Sequence, residues 1–204
     1  MSKKNKKTLQ EIHDYWVHQS QPDHYIDKVK RSEFLTEYVK KYILKTGKIL
    51  EIGCNVGRNL NHLYENGFKQ LTGIEISENA ITALKKTYPL LEKNSEIIHS
   101  SIEETIKQLP THHFDLVFTM AVLEHIHPDS EWIFEDIARI TGSYLITIEA
   151  EKAEHWRLYP RNYKNIFEKY GLQQVEENRC DKESGLGAYT LRIFKRQSNM
   201  GGEL

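Results

Sequence analysis

The chain has 204 residues, a formal net charge of −1, 39% hydrophobic residues and 28% charged residues. This length and balance fit one globular, water-soluble domain with a substantial core, and exclude a disordered chain. Near-neutral charge argues against a surface that coats nucleic acid, and no apolar run approaches the roughly 18 residues needed to cross a bilayer.

The N-terminus, Met1-Ser2-Lys3-Lys4-Asn5-Lys6-Lys7, is basic, but Gln10, Glu11, His13 and Asp14 follow where a secretion signal needs an apolar stretch. The expectation is a solvated tail on a cytoplasmic protein. Cys54 and Cys180 lie far apart and form no metal-ligand spacing, so two reduced thiols and no metal are expected. Residues 8–18 and 27–44 read as helices. In the second, Val29, Phe34, Leu35, Tyr38, Val39 and Tyr42 recur at three-to-four spacing, and Gly47 follows as a stop.

From Lys48 the pattern changes. Short apolar runs at 48–52, 71–76, 96–99, 114–119 and 144–148 alternate with helical stretches at 59–65, 78–87, 102–108 and 130–140. Such alternation implies a doubly wound α/β fold, with a mostly parallel sheet covered on both faces. A helix at 161–170 ends at Gly171. Two further strands, 172–180 and 188–195, flank the polar loop 181–187 and predict an antiparallel C-terminal hairpin, which brings the sheet to seven strands.

The first strand runs into Glu51-Ile52-Gly53-Cys54-Asn55-Val56-Gly57 just before a helix. In doubly wound sheets, ligands sit outside the carboxyl ends of the strands, closest to this first turn. Gly53 and Gly57 give the turn conformational freedom and let a ligand touch backbone. Asn55 is one of the few residue types that tolerate the left-handed region. Glu75, in Gly73-Ile74-Glu75-Ile76-Ser77 at the end of the second strand, lies 18 positions after Gly57. An acid there can accept hydrogen bonds from both hydroxyls of a ribose. The loop lacks the Gly-x-Gly-x-x-Gly spacing of dinucleotide sites. It also places Glu51 ahead of its first glycine, where an acid repels phosphate but suits a ligand with an amino group and a sulfonium.

These segments, with Phe114-Asp115-Leu116-Val117-Phe118 and Val122-Leu123-Glu124-His125, resemble the class I S-adenosylmethionine-dependent methyltransferases, closest to the group acting on small molecules and sugars. The resemblance covers about residues 48–148 and implies the Rossmann-like methyltransferase fold, with S-adenosylmethionine as cofactor and S-adenosylhomocysteine as product. It implies that Glu51, Gly53, Asn55 and Gly57 line the methionine and ribose part, that Glu75 holds the ribose, and that Ile76 packs on adenine. Ser101 and Ile102 stand where the family often has Gly-Asp near the adenine. Met120 and Ala121 fall beside the methionine moiety, and Arg31 is a candidate for its carboxylate.

The expected organisation is a set of N-terminal helices, residues 1–47, forming part of an active-site lid, and a cofactor-binding core, residues 48–197, whose loop 149–163 meets the substrate. His125 is the first candidate for a general base and His155 the second, since a neutral imidazole can take a proton from a hydroxyl or amine. Against this, Leu123-Glu124-His125-Ile126 reads equally as a structural turn. In the loop, Trp156, Arg157 and Tyr159 suit a polar ring such as a sugar by stacking and hydrogen bonding, although packing of lid on sheet would use the same residues. Ser101 is equally a helix cap.

The expected activity is methyl transfer to an oxygen or nitrogen of a small-molecule acceptor, by a monomer or homodimer with no nucleic-acid or membrane partner. The alternatives are a non-catalytic, cofactor-binding partner subunit and a nicotinamide-dependent oxidoreductase, the latter at odds with the glycine spacing. A nucleic-acid methyltransferase is disfavoured: Thr119-Met120-Ala121-Val122 stands where base-modifying enzymes often carry Asn/Asp-Pro-Pro-Tyr/Phe.

Overall fold

The computed structural model describes residues 6–19 and 21–197, so the first five residues of the basic N-terminus lie outside the described residues. Lys6, the next residue, is exposed but lies against the loop after β5. Its Nζ donates to the Leu158 carbonyl at 2.9 Å and lies 4.6 Å from the centre of the Tyr159 ring.

Helix α1 (Leu9–His18) starts on a capping box. The Thr8 hydroxyl accepts the Glu11 N–H at 3.3 Å, and the Glu11 carboxylate accepts the Thr8 N–H at 2.9 Å. After a short 3-10 turn at Pro22–Tyr25, α2 (Val29–Tyr42) buries Leu35, Thr36 and Val39, close to the periodic face read from the sequence. The core then alternates: β1 (Lys48–Ile52), α3 (Arg58–Glu65), β2 (Gln70–Glu75), α4 (Glu78–Thr87), α5 (Pro89–Asn94), β3 (Glu96–His99), α6 (Ile102–Thr105), β4 (Phe114–Met120), α7 (Ile133–Ile140), β5 (Thr141–Glu149), α8 (Tyr163–Lys169), β6 (Leu172–Arg179) and β7 (Thr190–Arg196).

The seven strands form one sheet in the order β3-β2-β1-β4-β5-β7-β6, parallel except that β7 runs antiparallel to both its neighbours. The expected hairpin is therefore present, but β7 inserts between β5 and β6 and leaves β6 at the edge. One face of the sheet packs on Leu35 and Val39 of α2, Leu60 and Leu63 of α3, Leu84 of α4 and Leu91 of α5. The other packs on Ile102 of α6, Phe134 and Ile137 of α7, and Tyr163 and Phe167 of α8. Burial on both faces explains why the inner strands read as continuous apolar runs.

Two departures from expectation are local. Helix α5 was not anticipated: with six residues it is too short to show periodicity, and it forms because Pro89 fits a first turn and Leu91 is buried. The helix expected at 130–140 divides into a 3-10 turn at Pro128–Ser130 and α7, and β5 follows α7 without a loop. No helix among the described residues is long and apolar enough to cross a membrane.

Strand order reverses between β1 and β4, so their carboxyl ends diverge and leave a crevice.

Candidate active site

A cavity of about 350 Å³ opens at the carboxyl ends of β1, β2 and β4, within the range of small-molecule sites. Its floor is the turn after β1. Gly53 (φ +71°) and Gly57 (φ +73°) occupy the left-handed region, as does Asn55 at φ 48°, whose Oδ1 accepts the Val56 N–H at 2.9 Å. Space forbids a side chain at both glycines: a Cβ would lie 2.6 Å from Val122 Cγ2 at Gly53 and 2.5 Å from Leu84 Cδ1 at Gly57.

Glu51, the last residue but one of β1, and Glu75, the last of β2, lie beneath this turn, both almost fully buried. Glu75 accepts the Asn55 N–H on Oε2 and the Ser77 N–H on Oε1, both at 2.8 Å. One donor on each oxygen leaves further lone pairs for a ligand. Burial lifts the Glu75 carboxyl above the usual carboxylate range, and the backbone donors oppose that shift. Glu51 is less satisfied. Its Oε1 accepts the Asn59 side-chain N–H at 2.7 Å, but its Oε2 is buried without a partner. Burial pushes this carboxyl up to about 8. An orphaned carboxylate oxygen of this kind is a costly feature unless a ligand supplies the donor.

Asn59 belongs to a network that sets the wall. Arg58 Nε donates to Ser32 Oγ at 2.8 Å, its Nη1 to the Tyr25 carbonyl at 2.8 Å and its Nη2 to Asn59 Oδ1 at 2.9 Å. Ser32 Oγ also donates to Asn59 Oδ1 at 2.7 Å. Helix α2 is thereby fastened to the start of α3 and, through Asn59, to Glu51. Across the cavity, α1 presents Ile12, His13 and Trp16 to the interior. His13 Nε2 lies 3.2 Å from the Glu103 carboxylate of α6, an attachment between the N-terminal helices and the core.

The opposite wall follows β4. His125 is nearly buried and its Nδ1 lies 2.9 Å from the Arg157 carbonyl. A carbonyl only accepts, so the ring proton sits on Nδ1 and Nε2 is left as an acceptor. Burial holds the imidazole down at about 4, which keeps it neutral. Its Nε2 is 3.7 Å from Glu124 Oε1, and the Trp16 ring covers it at 4.7 Å between centroids. Behind it lies Glu149, fully buried, which accepts the Thr119 hydroxyl at 2.7 Å and the Val122 and Glu124 N–H groups at 3.0 and 3.2 Å. Burial, and for Glu149 the nearby Glu124, drives both carboxyls upward.

A family model described as a methyltransferase domain matches residues 50–145. The ubiquinone biosynthesis O-methyltransferase of Nitrosospira multiformis is 30% identical over 168 residues, covering 73% of this chain and 66% of the relative. The mitochondrial ubiquinone biosynthesis O-methyltransferase of Schizosaccharomyces pombe is 34% identical over 114 residues, covering 54% of this chain and 40% of the relative. The chain thus spans between two fifths and two thirds of the length of these relatives. Among solved structures, magnesium protoporphyrin IX methyltransferase from Synechocystis PCC 6803, with bound S-adenosylhomocysteine, shares the fold at a TM-score of 0.71 and 15% identity, covering 93% of this chain and all of that one.

The chain belongs to the class I S-adenosylmethionine-dependent methyltransferases. Its cofactor is S-adenosylmethionine, and the nicotinamide alternative is set aside. The orphaned Glu51 Oε2 is the observation that tests the fit: the cofactor's methionine end carries an ammonium and a sulfonium, the donor and charge that this oxygen lacks.

Of the residues singled out in this methyltransferase, Arg31, Glu51, Gly53, Asn55, Glu75, Ile76, Ser101, Ile102, Met120, His125 and Arg157 all reach the cavity wall. Ser101 also caps α6, accepting the Glu104 N–H at 3.3 Å, so both of its readings coexist. Four residues do not reach it. Gly57 closes the turn from behind, its N–H donating to the Cys54 carbonyl at 2.9 Å. His155, the second candidate base, sits in an isolated bridge with Leu158, its ring against Trp156. Trp156 packs edge-on against Tyr15 at 5.2 Å, and Tyr159 is buried beside His127.

The loop expected to meet the substrate mainly supports the turn that carries His125. The Ala150 N–H donates to Glu124 Oε2 at 2.5 Å, the Tyr159 N–H to the Glu124 carbonyl at 2.9 Å, and Arg161 to the Leu123 and Ile126 carbonyls at 3.2 and 2.7 Å. Glu149, placed at the start of that loop by sequence, is the last residue of β5. Sequence reasoning gave no role to Glu124 or Glu149. The signal for Glu149 was available, since it closes an apolar strand with an acid just as Glu75 does.

Proposed function

We propose that this protein transfers the methyl group of S-adenosylmethionine to a hydroxyl oxygen of a small-molecule acceptor, with His125 receiving the acceptor's proton. The observation that carries the reading is the tautomer of His125: Nδ1–H is committed to the Arg157 carbonyl, so Nε2 is a free base on the cavity wall. When bound, the cofactor supplies an activated methyl group on sulfur, so the chain's own residues mainly position, shield and accept a proton.

In this reading Glu75 takes the ribose hydroxyls, and Glu51 takes the ammonium on its unpartnered oxygen. Arg31, whose Nε is buried without a partner, takes the methionine carboxylate. Ile76, Ser101 and Ile102 bracket the adenine. Helix α1, with Trp16 over His125, excludes water as a lid. A proton arriving on His125 Nε2 creates an imidazolium beside Glu124, 3.7 Å away, which can hold the charge until release. Oxygen rather than nitrogen is favoured because a hydroxyl needs such a base, and because the two curated relatives are named as O-methyltransferases. The buried free thiols of Cys54 and Cys180 support a reducing compartment such as the cytoplasm.

Calorimetry with S-adenosylhomocysteine tests the cofactor half. Glu75→Ala should lose about 100-fold in affinity, as expected for hydrogen bonds to a charged group, while its circular dichroism stays native. Unchanged affinity would overturn the assignment. Transfer of labelled methyl to catechol and 3,4-dihydroxybenzoate tests the acceptor half: His125→Ala should lower kcat by about 10²–10⁴ with cofactor affinity retained.

A further inference from the structure

The methyltransferase cavity contains two arginines for which the cofactor offers only one carboxylate. Arg31 and Arg157 both line it, and each has a buried Nε with no hydrogen-bond partner. Neither guanidinium forms an ion pair among the described residues. The nearby acids do not balance them. Arg58 is hydrogen-bonded within its own network, Glu103 pairs with His13, and Glu51 and Glu75 lie under the cofactor loop. That leaves Glu124, which burial holds upward although both Arg31 and Arg157 pull it down, and no ion pair joins it to either arginine among the described residues.

The setting of Arg157 is unlike that of Arg31. Its guanidinium carbon lies 5.0 Å from the centre of the Tyr15 ring and 5.5 Å from those of Trp16 and Trp156. Three rings around the guanidinium attract its charge, and its planar fork of N–H groups matches a carboxylate in two parallel hydrogen bonds. The same residue's carbonyl fixes His125, so the fork and the base are joined by one backbone unit. Trp16, Tyr25, Tyr189 and the His125 ring give the intervening wall flat faces suited to an aromatic ring.

We infer that Arg157 is a specificity residue for the acceptor, and that the acceptor is a hydroxylated aromatic carboxylate whose acid group docks on Arg157 while its hydroxyl meets His125. This rests on the methyltransferase reading above and deepens it by naming the substrate class.

The test titrates 3,4-dihydroxybenzoate and 3,4-dihydroxybenzamide into protein saturated with S-adenosylhomocysteine, so that Arg31 is already engaged. The acid should bind about ten- to hundredfold more tightly than the amide. Arg157→Gln should abolish that preference by weakening the acid alone, with amide and S-adenosylhomocysteine affinities kept within about twofold, and Arg157→Lys should restore part of it. Because the mutation leaves the backbone carbonyl in place, the His125 hydrogen bond survives it. Equal binding of acid and amide, no binding of the acid, or an acid affinity indifferent to Arg157→Gln would each overturn the inference. Failure of the methyltransferase reading looks different: S-adenosylhomocysteine itself would not bind. The same acid and amide titrations on the Arg31→Gln protein would then still report on Arg157.

Discussion

The two halves of the cavity are built in different ways. The centre of the cofactor half comes from one short stretch of chain, Glu51 to Ile76, in which strands place the acids and glycines shape the backbone, with Arg31, Ser101 and Ile102 added from outside it. The acceptor half draws on α1, α2, the Leu123–His125 turn, the end of β5 and the loop after it, and it is held together by hydrogen bonds between residues about 25 to 40 positions apart. The first half is a local design that a linear sequence displays. The second exists only when distant segments meet, so its stability and its chemistry are coupled more tightly.

The largest effect that separates the halves is expected at Gly53. Gly53→Val places a β-branched side chain at φ +71° and within 2.6 Å of Val122, which should cost about 2–4 kcal/mol and remove measurable S-adenosylhomocysteine binding. Gly171→Ala is the control, since φ there is +81° but nothing lies within 4 Å. It should cost about 1 kcal/mol and leave binding alone. If both variants bind S-adenosylhomocysteine equally, the turn does not shape the site. In the acceptor half, Glu149→Ala leaves the Thr119 hydroxyl and two N–H groups without their acceptor, and should lower unfolding stability by about 2–5 kcal/mol. Glu149→Gln keeps a carbonyl acceptor and should lose less. Denaturant midpoints for the pair would contradict the supporting role if Ala and Gln cost the same.

The difference in construction also decides what the sequence displayed. Strand and helix alternation, the seven-stranded count, Glu51, Glu75 and the glycine turn were legible because each depends on spacing within a few tens of residues. The insertion of β7 between β5 and β6 was not, since loop length allows a hairpin on either side of the edge. His155, Trp156 and Tyr159 lie outside the cavity lining, which the sequence did not display because residue type in a loop does not reveal orientation. Their backbone and rings went to packing, while Arg157 between them reached the cavity. Arg31 could have been a solvated helix residue on sequence grounds, and only the docking of α2 on α3 brings it inside. Glu124 was hidden inside a motif read for its neighbours, and its partner Glu149 is 25 residues away.

A moderate effect would sharpen the comparison from the electrostatic side. In the folded protein burial raises the Glu51 carboxyl to about 8, so near neutral pH it is mostly protonated and must ionise to receive an ammonium. Affinity for S-adenosylhomocysteine should therefore rise with pH up to about 8, approaching the limit of about tenfold per unit for one linked proton. Glu51→Gln should flatten that rise. Calorimetry in buffers of different ionisation enthalpy would count the released proton directly. The His125 imidazole contributes nothing to that rise, since it is held at about 4 and stays neutral throughout this window.

The smallest effect concerns the joint between the halves. His13 on α1 meets Glu103 on α6 at 3.2 Å, both partly shielded, and the pair should contribute less than about 1 kcal/mol. The Glu103 hydrogen bond raises the His13 value above its usual 6.5. A raised value in the folded form means the contribution is complete below about 6.5, the unfolded value, and fades as pH climbs through the folded one. On the acid side, burial alone would push Glu103 up, but His13 and its other donors outweigh this and leave it lowered, so the pair breaks only as pH falls below the ordinary carboxylate range. His13→Ala should thus weaken S-adenosylhomocysteine binding about two- to fivefold at pH 6, with the ratio to wild type closing toward one at pH 9. A deficit of the same size at both pH values would mean that α1 is held by its apolar contacts at Ile12 and Trp16, and that the ion pair does not latch the lid.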